Sequence, residues 1–326
     1  MSKKTIGFFA NELCFRGTGV ALYTYADYNE KILGNKSIIF SISDRDMSAY
    51  PKFIKRFPTY FIGSCGFGSI SGMDQWAYDT GVDYMYWIKA GNNDGGQCGL
   101  VPTLIHAVFQ INDPHGYRYA YVSDWLARSM GYDAETHSVP HIVEPMPTVD
   151  RDLRSDLGIP RSATVFGCYG GGTEFNINWV HEAMDRIVSE RNDIYFIFMN
   201  IPYAFRSIVH DHSQLKFLPG SWDLYYKSRF IQTCDAMIHA RTGGETFGLA
   251  VAEFSISNKP VITYRESGER NHIEMLGERG IYYSDYDEVY EILTNFKNYI
   301  KYDDYNCYRS CSPEIIMDKF NRVFLS

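Results

Sequence analysis

Short apolar runs alternate with longer stretches of helical period along nearly the whole chain. Residues 5–10 read as a buried strand, 11–19 as a loop, 20–33 as a helix ending near Gly34, and 37–42 as a second strand. After a less regular stretch that includes 63–72, strands are expected at 83–90, 103–109 and 119–123, with Asp124 capping a short helix that ends at Gly131. The pattern resumes with a strand at 164–170, a helix at 178–190, and strands at 194–200 and 215–218. Strands at 236–240 and 260–264 follow, and helices at 287–299 and 313–324 close the chain. Such alternation predicts parallel sheets covered by helices, an α/β architecture.

The rhythm breaks between Pro140 and Pro160, where four prolines and the charged run from Asp150 to Asp156 occur together. A linker is expected there, dividing the chain into residues 1–150 and 151–326, with the last helix a candidate to pack back on the first domain. A length of 326 residues suits two domains. Ligands in open α/β sheets bind at the carboxyl ends of strands. The loops of interest are therefore 11–19, 89–96, 106–116, 170–177, 241–246 and 265–271.

Composition narrows the function classes. The formal net charge is −8, which argues against a nucleic-acid partner. Seven scattered cysteines, without paired zinc spacing, read as reduced thiols and a cytoplasmic protein. No signal-peptide apolar region opens the chain, and no run of about 18 apolar residues could span a membrane. The 26 tyrosines could stack on carbohydrate, or could be ordinary core and strand aromatics.

The segment from Ala240 to Glu253 carries the chemistry. A strand leads into Gly243-Gly244, then Glu245, then a helical stretch bearing Glu253, then another strand. Glu253 is expected two turns into the helix, and eight residues at ~1.5 Å each separate the carboxylates by ~12 Å. The helix N-terminus between them would favour a phosphate. A ligand polar at both ends and anionic in the middle fits, and a nucleotide-sugar has that shape.

Glu245-Thr246-Phe247-Gly248-Leu249-Ala250-Val251-Ala252-Glu253-Phe254, followed by Asn258-Lys259-Pro260-Val261-Ile262, resembles the donor-site signature of retaining GT-B glycosyltransferases, family four (group 1) in particular. Leu218-Pro219-Gly220 through Asp235-Ala236, Gly268-Glu269, Arg16-Gly17-Thr18-Gly19 and Val122-Ser123-Asp124 are similar to other stretches of that family. The resemblance implies two Rossmann-like domains facing across a cleft, with the acceptor side in the first and the donor side in the second. The implied activity is transfer of a hexose from a UDP- or GDP-linked donor to a hydroxyl of a glycan or small-molecule acceptor, with no separate cofactor. The family's Arg and Lys after the first strand of the second domain are missing: residues 170–178 contain no cation.

By this resemblance Glu253 accepts hydrogen bonds from ribose hydroxyls. Glu245 faces the transferred sugar and the positive charge developing at its anomeric carbon. Gly243 and Gly244 allow close backbone approach, and Thr246, Gly17 and Gly171 join them on the donor. Arg241, Lys89 and Arg16 are candidate cations for the diphosphate. His106 is a candidate sugar-facing group, with a satisfied core histidine as the alternative; His115 is a further loop candidate. Three D-x-D matches, at 44–46, 150–152 and 285–287, show how readily an acidic chain produces that metal motif, and no metal is expected. A sugar-nucleotide epimerase or hydrolase on the same fold, and a non-catalytic nucleotide-sugar or glycan binder, stay open as alternatives.

Overall fold

A computed structural model of the chain describes residues 3–42, 46–62, 73–171, 175–201 and 212–326. The irregular stretch 63–72, Asp44-Arg45 of the first D-x-D match, and Gly172 to Glu174 lie outside the described residues. The chain divides into two compact units, Met1–Glu144 with Ser310–Ser326, and Pro145–Arg309.

The first unit contains β1 (Thr5–Ala10), α1 (Gly17–Lys31), β2 (Lys36–Ile42), α2 (Tyr50–Arg56), β3 (Thr59–Ile62), α3 (Met73–Thr80), β4 (Tyr84–Lys89), β5 (Thr103–Ala107), β6 (Arg118–Tyr121), α4 (Asp124–Ser129) and α5 (Ala134–His137). Its six strands form one parallel sheet in the order β3-β2-β1-β4-β5-β6. The central strands are buried on both faces, as parallel sheets require, which is why they read as unbroken apolar runs. α1 starts three residues before the expected position 20. Gly19 makes this possible: a Cβ there would lie 2.2 Å from the Cys14 carbonyl oxygen. The cap of α4 is Ser123 rather than Asp124, its hydroxyl accepting from the Leu126 N–H at 3.1 Å.

The second unit contains β7 (Thr164–Tyr169), α6 (Asn178–Glu190), β8 (Ile194–Met199), β9 (Leu215–Leu218), α7 (Leu224–Thr233), β10 (Ala236–His239), β11 (Gly244–Glu245), α8 (Leu249–Ile256), β12 (Val261–Tyr264), β13 (Glu269–Arg270), α9 (Asn271–Leu276), β14 (Ile281–Tyr283) and α10 (Tyr286–Thr294). Its sheet, also six parallel strands, runs β14-β12-β10-β7-β8-β9. Counted from β7 within the unit, this is the same order as in the first sheet. The expected linker is fastened to this unit. Arg154 is buried, donates to the Ala163 carbonyl at 2.7 Å and pairs with Asp235 at 3.0 Å. The Leu153 N–H donates to the Thr233 hydroxyl at 2.8 Å.

The chain ends in the first unit with α11 (Pro313–Phe320) and a π-helical turn, Asn321–Leu325. Phe320 stacks on Tyr25 of α1 with ring centroids 5.4 Å apart. The Lys319 ammonium reaches Asp124 at 3.0 Å and Ser138 at 2.9 Å.

Candidate functional site

In the second sheet the strand order reverses between β7 and β10, so the loops leaving these two strands diverge and open a crevice at their carboxyl ends. Asn176 ties the two loops together. Its backbone N–H donates to the Ala240 carbonyl at 2.8 Å, and its side-chain oxygen accepts from the Thr242 N–H at 2.9 Å. Each strand ends in a residue that holds one of the two carboxylates.

Tyr169, the last residue of β7, donates its phenol to Glu253 Oε2. Burial, then the Glu253 charge, push that phenol well above its ordinary range, so it stays a donor. Lys227 of α7 donates to the other oxygen, Oε1, at 2.5 Å. Its ammonium also lies 5.1 Å from the Tyr169 ring centroid. Glu253 is therefore buried on α8 with one donor on each oxygen among the described residues. A carboxylate offers about four lone-pair positions, so each oxygen can take one further hydroxyl.

His239, the last residue of β10, meets Glu245 Oε1 at 3.2 Å, and Arg241 donates to the same oxygen at 3.0 Å. Oε2 has no hydrogen-bond partner among the described residues. Burial raises the Glu245 pKa, but the His239 hydrogen bond and the His239, Arg241 and His272 charges outweigh it and hold the carboxyl at about 2. Glu245 is not helical. It sits in β11, paired in parallel with β13, and Gly248 turns the chain into α8 with φ 88°. The ~12 Å estimate therefore does not apply, because only the last part of the interval is helix. α8 has no side-chain cap, so its first-turn N–H groups face the loop unpaired by side chains.

The loop glycines differ. Gly244 has φ +72°, and a Cβ would lie 1.9 Å from the Glu269 carbonyl oxygen, so packing on β13 alone demands glycine. At Gly243 a Cβ would meet, among the described residues, only Arg241 Nε at 3.9 Å, so these residues give the bare backbone there no packing explanation. Thr246 is half-buried in the turn between β11 and α8. Gly171 is half-buried after β7, beside Gly170, whose carbonyl accepts from Asn200 at 2.9 Å.

The candidates in the first unit stand differently. His106 is completely buried: Nδ1 bonds Tyr86 OH at 2.6 Å and Nε2 bonds the Val139 carbonyl at 2.8 Å. Burial lowers its pKa to about 4. The expected sugar-facing group is thus a satisfied core histidine, because both nitrogens are used inside the unit. Lys89 is also buried. Its three protons find Asp94, the Gly96 carbonyl at 3.1 Å and His115 Nε2 at 3.3 Å, and the ammonium lies 4.6 Å from the Trp87 ring centroid. An ammonium has three donors, so none is left for a phosphate. His115 is spent on this lysine and on the Asp113 carbonyl at 2.8 Å. Gly17 is the exposed first residue of α1, and Arg16 before it is exposed, 3.8 Å from Glu12. Of the D-x-D matches, Asp150 accepts from Tyr225 OH at 2.5 Å, Asp152 pairs with Arg154 at 3.8 Å, and Asp285 caps α10.

No protein-family model matches the chain, and no curated protein matches it in sequence. Solved structures do match. Anabaena HepE in complex with UDP and glucose superposes with a TM-score of 0.73 at 13% identity, covering 99% of this chain and 100% of that one. A glycosyltransferase from Rickettsia africae gives 0.70 at 14%, covering 100% and 94%. The N-terminal domain of a Candida albicans trehalose-6-phosphate phosphatase gives 0.64 at 8%, covering 100% and 97%.

The chain has the GT-B fold.

Within this GT-B chain, four residues at the crevice escaped sequence reading: Tyr169, Lys227, His239 and His272. The first and third had one available signal: each is a polar residue closing an apolar strand on the loop side. Lys227 lies in an aromatic and basic helix, Leu224–Thr233, whose sequence does not point it at Glu253. His272 follows β13, a strand of two residues that no periodicity reveals.

Proposed function

We propose that the protein is a glycosyltransferase that moves a hexose from a UDP- or GDP-linked donor to an acceptor hydroxyl, with retention of anomeric configuration and without a metal. The observation that carries this reading is the pair of carboxylates at the strand-order reversal, each held by the residue that ends its strand. Glu253 would receive the two ribose hydroxyls on its remaining lone pairs. The diphosphate would lie toward the N-terminus of α8 and the Gly243 backbone. Arg241 would supply positive charge, with Lys227 a second source in place of the cation pair absent from 170–178. Glu245 would offer Oε2 to the sugar and stabilise the oxocarbenium-like transition state, while N–H groups and cations stabilise the leaving diphosphate. No covalent nucleophile is assigned; the departing phosphate would take the acceptor proton. HepE is crystallised with UDP-glucose, which makes that donor the first to try.

The test is calorimetric titration with UDP, GDP and their glucose conjugates, followed by product detection with and without a mixed glycan acceptor, each in the presence and absence of EDTA. Transfer dependent on an acceptor supports the proposal. Turnover without one points to the hydrolase or epimerase, and binding without turnover points to a binding protein.

A further inference from the structure

Behind Glu245 lies a chain of buried polar groups. His239 Nε2 is 3.2 Å from Glu245 Oε1, and His239 Nδ1 is 2.8 Å from Thr263 Oγ1 on the neighbouring strand β12. Thr263 Oγ1 is in turn 3.2 Å from His272 Nε2 on α9. Thr263 and His272 are completely buried and His239 is nearly so. The two imidazoles meet edge to face at 4.9 Å. Tyr283 OH donates to the His239 carbonyl at 2.8 Å and fixes its backbone. The chain stops at His272 Nδ1, which is buried and has no hydrogen-bond partner among the described residues.

Elementary donor counting gives this chain a direction. An ionised carboxylate only accepts, so His239 Nε2 carries hydrogen and donates. With a single proton on the ring, Nδ1 is then an acceptor, and the Thr263 hydroxyl donates to it. With its one hydrogen committed, Thr263 Oγ1 accepts from His272 Nε2–H. That leaves His272 Nδ1 as a bare lone pair. The reverse direction would place an unpaired N–H at the same buried atom, the rarer and costlier arrangement.

We infer that His239, Thr263 and His272 form a one-way hydrogen-bond relay that positions Glu245, fixing its Oε1 to the protein so that Oε2 alone is presented to the ligand. This rests on the proposed role of Glu245 at the transferred sugar. Gly248 fits the same purpose: a Cβ there would lie 3.2 Å from Glu245 Cβ and Cγ and 3.6 Å from His272 Cβ, so glycine lets the turn pack onto both. His239 and Thr263 are positioning residues, acting on substrate only through the carboxylate.

The experiment has a spectroscopic arm and a kinetic arm, both on the full chain. Long-range ¹H–¹⁵N correlation spectra at neutral pH report histidine tautomers directly. Both His239 and His272 should be Nε2–H, and Thr263→Val should shift the His239 ring signals. An Nδ1–H tautomer at either ring, or a Thr263→Val spectrum with His239 unchanged, overturns the relay. In the kinetic arm, measured as UDP release from UDP-glucose, Thr263→Val should lower kcat about 10-fold, the scale of coupling between contacting groups, with UDP affinity unchanged. Thr263→Ser should restore it, and Thr263→Val should cost nothing further in a Glu245→Gln background. Equal losses in both backgrounds would make Thr263 merely structural and overturn the inference. Should the parent turn over no nucleotide-sugar, the glycosyltransferase reading fails, and the spectra still decide the relay. Should Thr263→Val not fold, the parent tautomers and Thr263→Ser decide it.

Discussion

At the end of β7, Glu253 meets a phenol and an ammonium, one on each oxygen; at the end of β10, Glu245 takes an imidazole and a guanidinium on one oxygen and keeps the other open. The two carboxylates belong to one short segment and stand at equivalent places of one sheet, yet they are prepared for different partners. A symmetric carboxylate suits two adjacent hydroxyls of fixed geometry, as a ribose presents. A one-sided carboxylate suits a single demand that changes during reaction. The difference teaches that the holding residues, more than the two glutamates, assign the roles.

The strongest attack on this contrast is Glu253→Ala. It leaves the half-buried Lys227 without its counter-ion, a loss bounded by the about 3–5 kcal/mol that breaking a fully buried pair costs. Urea unfolding should show that loss, and calorimetry on the folded fraction should show weaker binding of bare UDP or GDP. Unchanged nucleotide affinity would remove Glu253 from the ribose.

Glu245→Ala should act on rate. A loss of about 10²–10³ in kcat is expected, the scale for one stabilising group in a preorganised site, with bare-nucleotide affinity retained. A parallel loss of nucleotide affinity would move Glu245 to the phosphate and erase the contrast.

Acid separates the two ends by another route. The Glu245 carboxyl lies at about 2 against an ordinary 4.5, so the stability it contributes is whole above pH 4.5 and is lost as pH falls toward 2. This amounts to something on the order of 3 kcal/mol. His272, lowered by burial and by His239 to about 3 from 6.5, contributes stability that is whole above pH 6.5 and is lost as pH falls toward 3. Unfolding free energy measured against pH should therefore decline in two overlapping stages. Glu245→Gln should abolish the lower stage and keep the upper.

The mildest test compares adjacent glycines. Gly244→Ala meets a carbonyl and a left-handed backbone, and should cost about 1–3 kcal/mol. Gly243→Ala should change stability by no more than about 0.5 kcal/mol. Any loss of donor affinity in Gly243→Ala would then report ligand contact alone.

Much of this was legible beforehand. The parallel sheets follow from apolar runs buried on both faces, and β1, α6 and β9 fall where periodicity puts them. Glu253 stood out because a carboxylate among Ala250, Val251, Ala252 and Phe254 needs partners to be buried, and Glu245 because it follows two glycines at the loop exit. The partners themselves were not legible. Tyr169 and Glu253 are 84 residues apart and meet only because β7 and β10 are neighbours in the sheet. The histidines show the limit most clearly. His106 and His239 both interrupt an apolar strand, and sequence singled out the first. Tyr86 and the Val139 carbonyl absorb His106 within the core, whereas His239 ends its strand and faces a carboxylate. Which neighbour a strand histidine finds is decided by sheet order, and no local pattern encodes that.

The return of residues 310–326 to the first unit has a consequence for how the protein is made. As the chain is synthesised, the whole of the second unit can close before the helix that seals Tyr25 and Tyr86 exists. Until Phe320 emerges, the first unit carries an uncovered aromatic face, the kind of surface through which nascent chains aggregate. Completing it means closing the loop between Tyr25 and Phe320, although the entropic cost of such a closure grows only as the logarithm of its length. Truncation before α11 should therefore yield a protein whose second unit folds and whose first unit demands a chaperone.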